Sequence, residues 1–220
     1  VNSTKMRSSF AGINSELSFD FTPFQSSDWS FNRITLINSF DQKLGLLGGR
    51  FRQVYGQIWS NQDGAPLQER FNVEGAGSGD LYKKSYLRDK TSFYGNKSFF
   101  GQYHLPGDAN LRAFGNQGFA GVEQVFAITI EGFLSKSIAG INLELAGFID
   151  QGTLSGSKFV LGDKGFDSNT LVDYGIGLRL STTIFGQPIF LRLDKPMGAK
   201  IDGIDIEKMN DWIFSFQKSI

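Results

Sequence analysis

The sequence predicts an all-β chain, an antiparallel transmembrane β-barrel wall with eight strands in 220 residues. Three observations predict it. Apolar and polar side chains alternate along several segments, which is the period of a strand. The connections between these segments alternate short and long, the layout of barrels with short turns at one rim and long loops at the other. The last segment, Trp212-Ile213-Phe214-Ser215-Phe216-Gln217-Lys218-Ser219-Ile220, sets Trp212, Phe214 and Phe216 on one face against Ile213, Ser215 and Gln217, the pattern of a terminal barrel strand.

Strands are expected at about 14–22, 31–41, 47–59, 122–134, 139–151, 171–182, 188–195 and 210–219. In the second and third, both faces carry apolar residues, so the pattern assigns no side. In the fourth, Phe126, Ile128, Ile130 and Leu134 oppose Thr129 and Glu131. The fifth is clearest: Ile141, Leu143, Leu145, Gly147 and Ile149 oppose Asn142, Glu144, Ala146, Phe148 and Asp150. In the sixth, Ile176, Leu178 and Leu180 oppose Gly175, Gly177, Arg179 and Ser181; in the seventh, Ile189, Leu191 and Leu193 oppose Phe190, Arg192 and Asp194. Aliphatics on one side and charges on the other suit a lipid exterior and a wet lumen. Connections of about four to six residues are expected between strands two and three, four and five, and six and seven. The longest connection, about 60–121, is rich in Gly, Asn, Asp and Lys and is a candidate functional loop.

Composition narrows the classes. The 22 basic residues balance 22 acidic ones, so no basic face argues for nucleic acid. Cysteine is absent, which removes disulfides and thiolate metal sites. No run of 18 apolar residues occurs, so no transmembrane helix is expected; a barrel escapes that filter because only alternate residues meet lipid. The start at Val1-Asn2-Ser3 is expected to be a processing site or a fragment boundary.

Within the long connection lies His104-Leu105-Pro106-Gly107-Asp108-Ala109-Asn110-Leu111-Arg112-Ala113-Phe114-Gly115, and the fifth strand ends Phe148-Ile149-Asp150-Gln151-Gly152. Together these resemble the BamA-type superfamily of outer-membrane β-barrels, the bacterial surface antigen family. Its members carry a Val/Leu-Arg-Gly-Tyr/Phe loop that folds back into the barrel and an aromatic-x-Asp-x-Gly motif on a later strand. Leu111-Arg112-Ala113-Phe114 matches the first, with Ala113 where the family has Gly, and Phe148-x-Asp150-x-Gly152 matches the second. Gly175-Ile176-Gly177-Leu178-Arg179 on the following strand agrees. The resemblance covers about residues 100–220; over the first hundred it rests on strand count alone.

The resemblance implies the C-terminal eight strands of a 16-stranded barrel, 1–220 being one barrel part, with a Gram-negative outer-membrane location and a periplasmic C-terminus. It implies that Arg112, with Phe114, enters the lumen and meets Asp150, with Phe148 and Gly152 beside them, to pin the loop. An Arg guanidinium can give a carboxylate two parallel charge-assisted hydrogen bonds. The other reading of the pair is a solvated loop arginine and a strand-end turn former. The implied function is assistance in inserting proteins into, or translocating them across, the outer membrane. The implied partners are the lipid bilayer, N-terminal barrel strands from the same precursor or a separate chain, and other outer-membrane or periplasmic proteins. An alternative is a membrane anchor for a periplasmic peptidase or lipase domain outside these residues; a third class is a soluble lipocalin-like or sandwich protein binding an apolar ligand.

No catalytic residue, metal site or cofactor is expected. His104 is the single histidine, and a zinc site would need carboxylates for its other protein ligands. Gly75-Ala76-Gly77-Ser78-Gly79 lacks the strand and Lys-Ser/Thr of a phosphate loop. There is no Gly-x-Ser-x-Gly elbow. Trp29, Trp59 and Trp212 fall near expected strand ends and are candidates for interfacial or core positions.

Overall fold

The computed structural model describes residues 2–22, 30–60, 70–72, 109, 111–114, 120–155, 169–184, 187–206 and 212–218. The strands are β1 (Asn2–Phe10), β2 (Ile13–Phe21), β3 (Phe31–Leu44), β4 (Leu47–Ser60), β5 (Phe71–Asn72), β6 (Ala120–Val122), β7 (Gln124–Ile138), β8 (Ile141–Ser155), β9 (Asn169–Ile184), β10 (Gln187–Ile201), β11 (Ile204–Asp205) and β12 (Ile213–Lys218). Among the described residues the only helical element is a 3-10 turn, Arg112–Phe114. The chain is all-β, as the alternation predicts.

One antiparallel sheet runs in the order β1-β2-β3-β4-β7-β8-β9-β10, and β11 and β12 share the far side of β10; β5 and β6 form a separate pair. β1 and β12 lie at opposite edges, and no pairing joins them among the described residues. Among the described residues nine strands have six residues or more, one beyond the expected eight. The extra strand is β1, whose residues are all exposed and show no apolar alternation; pairing with β2 defines it.

Two of the three short connections expected, those after β3 and β7, are tighter than four to six residues, and the turn after the unexpected β1 is as short. Ala11-Gly12, Gly45-Leu46 and Ala139-Gly140 each join two strands as two-residue turns. In Ala11-Gly12 and Ala139-Gly140 both residues have positive φ, the type I′ pattern whose twist suits a hairpin. β10 runs past its expected end at Lys195 to Ile201, because the register shift between Pro196 and Gly198 absorbs a proline that reads as a strand terminator.

Side chains sort by face. Odd residues of β8 and even residues of β7 point outward, where Ile130, Leu134, Ile138, Ile141, Leu143, Leu145 and Ile149 are exposed. The register aligns them into rows. One reads Leu44, Leu47, Leu134, Leu145, Leu178, Leu193 across six strands and ends opposite Phe214. On β2 to β4 the outer face also carries a polar chain: the Ser15 hydroxyl donates to Asn38 at 2.8 Å, and the Asn38 amide donates to Gln53 at 3.4 Å.

The inner face is the buried one, and it is polar. Thr129, Glu131, Ser135, Glu144, Asp150, Asp173 and Asp194 are all buried there. The sheet curls enough for Arg192 on β10 to touch Glu131 on β7, although a flat sheet would hold those strands about 14 Å apart. At the long-connection end, residues 109 and 111–114 fill the concavity. Ala109, Leu111, Ala113 and Phe114 pack with Phe31, Ile58, Phe71, Val122, Val125, Ala127, Leu154, Leu171 and Ala199.

Candidate functional site

The site lies where the inserted turn meets the inner face of β7 to β10. Period-two alternation puts Glu131 on β7, Asp150 on β8, Asp173 and Arg179 on β9, and Arg192 and Asp194 on β10 on one side of the sheet. Antiparallel register then brings them together: Asp150 stands opposite Asp173, Arg179 opposite Arg192, and Gly177 opposite Asp194.

Arg112 enters this ring from the 3-10 turn and is 1 % exposed. Its Nε lies 3.2 Å from Asp150 Oδ2 and 3.7 Å from Asp194 Oδ2, and its Nη2 donates to Glu131 at 3.1 Å. The guanidinium carbon sits 3.7 Å from the centre of the Phe148 ring, a cation-π stack in a site closed to water. Burial alone would push the Arg112 guanidinium down, but Asp150, Asp194, Glu131 and Asp173 together hold it above its ordinary value.

The aromatic-x-Asp-x-Gly residues each meet the turn differently. Phe148 supplies the ring under the guanidinium and Asp150 supplies charge. At Gly152 an added Cβ would come within 2.7 Å of Leu111 Cδ1, so the missing side chain is the space that Leu111 fills. Gly175 and Gly177 act likewise on β9: a Cβ at the first would strike the Phe148 ring, and one at the second the Asp194 carboxylate. Ala113, which stands where the resembled motif has Gly, has no positive φ and is fully buried; its N–H donates to Asp173 Oδ2 at 3.1 Å. Phe114 is buried in the apolar cluster.

Glu131 is the hub. Beyond Arg112 it accepts from Arg50 Nη1 at 3.2 Å, Arg179 Nη2 at 2.6 Å and Arg192 Nη2 at 3.4 Å. Arg50 also reaches Glu144 at 2.6 Å and Asp41 at 2.7 Å, while Arg192 pairs with Asp194. Four guanidiniums on three strands and one loop therefore meet at a single buried carboxylate. Sequence reasoning places Glu131 on the polar face without singling it out and passes over Asp173. Alternation carried the first; nothing in the linear sequence shows that both converge on the Arg112–Ala113 turn.

Among the other expected residues, Trp212 is exposed and Ile213 buried, in line with the alternation of the last strand. Phe214 and Phe216 stand in register with the outward residues Leu193 and Leu191. Trp59 is exposed at the end of β4. Ile220, Trp29, His104 and the glycines of 75–79 lie outside the described residues.

Comparisons with protein-family models, with curated proteins and with solved structures find no match. Among the described residues the site holds four arginines with acidic partners around the inserted turn, an arrangement suited to holding a segment in one place.

The fit between Gly152 and Leu111 gives a test of the packing. Gly152→Val should destabilise the fold by about 1–3 kcal/mol through overpacking. Combined with Leu111→Ala, it should cost less than the sum of the two single changes, because the contact is shared. Denaturant midpoints of the four proteins measure this, and strict additivity would show that Leu111 does not occupy that space.

Proposed function

We propose that the chain is part of an outer-membrane β-barrel of BamA-like type that assists insertion of proteins into the membrane or their translocation across it. One observation carries the reading: the sheet is inside out. Isoleucines and leucines stand exposed on its outer face, while carboxylates and guanidiniums are buried on the inner one. In water, exposed apolar surface on that scale marks an interaction site. In hydrocarbon it is the stable arrangement.

The sheet's edges support the rest. Backbone groups left unpaired in lipid cost several kcal/mol each, so β1 and β12 call for further strands beside them, within a 16-stranded barrel on this reading. An edge at membrane depth is also the template on which an incoming strand can pair. The Arg112 turn is gripped by Asp150, Asp194 and Glu131 on the face that this reading turns toward the lumen.

Depletion of the protein from its own envelope tests the activity. Folded, heat-modifiable forms of other outer-membrane barrels, or surface display of an exported passenger, should fall several-fold. Normal levels of both, with the protein gone, would remove the insertase and translocator reading and leave an anchor for a periplasmic domain.

A further inference from the structure

The tight-turn rim of the sheet is apolar, and three independent features mark it. First, its flanking residues are exposed and oily: Phe10 is 82 % exposed and Leu44 88 %, with Ile13, Leu46, Leu47, Ile138 and Ile141 also exposed. Ile184-Phe185-Gly186-Gln187, the sequence joining β9 to β10, is uncharged too.

Second, the turns keep alanine where alanine is strained. Ala11 (φ 51°) and Ala139 (φ 50°) occupy the left-handed region, which costs a residue with a Cβ about 1–2 kcal/mol and which asparagine, aspartate and glycine enter more readily. The chain uses the polar solution elsewhere: Asp202-Gly203, between β10 and β11, has the same dihedral pattern with aspartate in the first place. The rim turns thus forgo a polar residue that their backbone would favour.

Third, two turn carbonyls that water would otherwise satisfy are bonded to neighbouring strands. Leu46 O accepts from Ser135 N at 2.7 Å, and Gly140 O accepts from the Thr182 hydroxyl at 3.2 Å. Internal satisfaction of the backbone is what a water-poor medium demands.

From these features we infer that the tight-turn rim is a lipid-embedded surface, seated in the membrane interface rather than standing in the aqueous phase. The occupant is lipid and not a folded partner, because the oily rim adjoins the outward leucine row, Leu44 and Leu47 belonging to both, and the outward charge between rim and row, Lys136, has a stem long enough to carry its ammonium to the headgroups. This rests on the membrane reading above and deepens it.

The absence of cysteine makes site-specific labelling direct. Leu46→Cys, Leu145→Cys and Asp202→Cys would each carry a polarity-sensitive dye on the full chain in phosphatidylcholine vesicles containing brominated or spin-labelled lipid. Leu145 reports the outward face, Leu46 the rim, and Asp202 the opposite, polar turn. The expected result is blue-shifted emission and strong lipid quenching at positions 46 and 145, with neither at 202. Quenching at 145 with water-like, unquenched emission at 46 would overturn the rim inference and leave the membrane reading standing. A dye at 46 that is unquenched by lipid in vesicles yet blue-shifted in the intact envelope would overturn it in favour of a protein cover. Absence of quenching at 145 would remove the membrane reading and the inference together.

Discussion

Glu131→Ala should lower the denaturant midpoint sharply and, on the membrane-barrel reading proposed above, abolish a compact, heat-resistant form in detergent. The carboxylate is 3 % exposed and takes contacts from Arg50, Arg112, Arg179 and Arg192. Taking one partner out of a buried ion cluster leaves charge with nothing to oppose it, at a cost of about 3–5 kcal/mol. The loss is unevenly spread. Arg50 keeps Glu144 and Asp41, Arg112 keeps Asp150, and Arg192 keeps Asp194. Arg179 has Glu131 as its carboxylate partner and loses most. Glu131→Ala with Arg179→Leu should therefore recover part of the stability, since removing both partners of a buried pair is milder than removing one. Electrophoretic heat-modifiability and denaturant midpoints measure both effects. A Glu131→Ala protein that matches the unaltered one in both assays would show that the hub is not what holds these strands together.

The second large effect is expected at the inserted turn. Arg112→Ala leaves Asp150 and Asp194 buried without their loop cation and strips the stack from Phe148, again a loss of about 3–5 kcal/mol at a site closed to water. The loop should then become several-fold more sensitive to protease added to intact cells. Asp150→Asn should act in the same direction but less, because an amide still accepts a hydrogen bond while carrying no charge. Arg112→Lys should fall between, keeping the charge but not the flat guanidinium that lies on the ring. Unchanged cleavage in all three variants would show that the loop is held by its apolar packing alone.

Much of this site is visible in the linear sequence. The alternation that sets Glu131, Glu144, Asp150, Arg179, Arg192 and Asp194 opposite aliphatics needs only the period of a strand. The ordered motifs around Arg112 and Asp150 point to a pair that the structure places 3.2 Å apart. What escapes is set by neighbours in space. β1 has no apolar stripe of its own and is a strand only because β2 lies alongside. The continuation of β10 past Pro196 depends on a bulge, and a proline in isolation argues for an end. Apolar Leu44 to Leu47 and Ile138 to Ile141 lack the asparagine or aspartate that usually announces a two-residue turn, so the hairpins read as longer than they are. The meeting of four arginines at Glu131 follows from registers between strands that the chain order does not disclose.

Asp173 gives the loop a second kind of hold. It takes the main-chain N–H of Ala113, not a side chain. Every residue type except proline offers that same group, so the bond is indifferent to which amino acid stands at position 113. Even a loop rewritten around Arg112 would keep this tether, which is lost when the Asp173 carboxylate is removed or when proline at position 113 takes the N–H away.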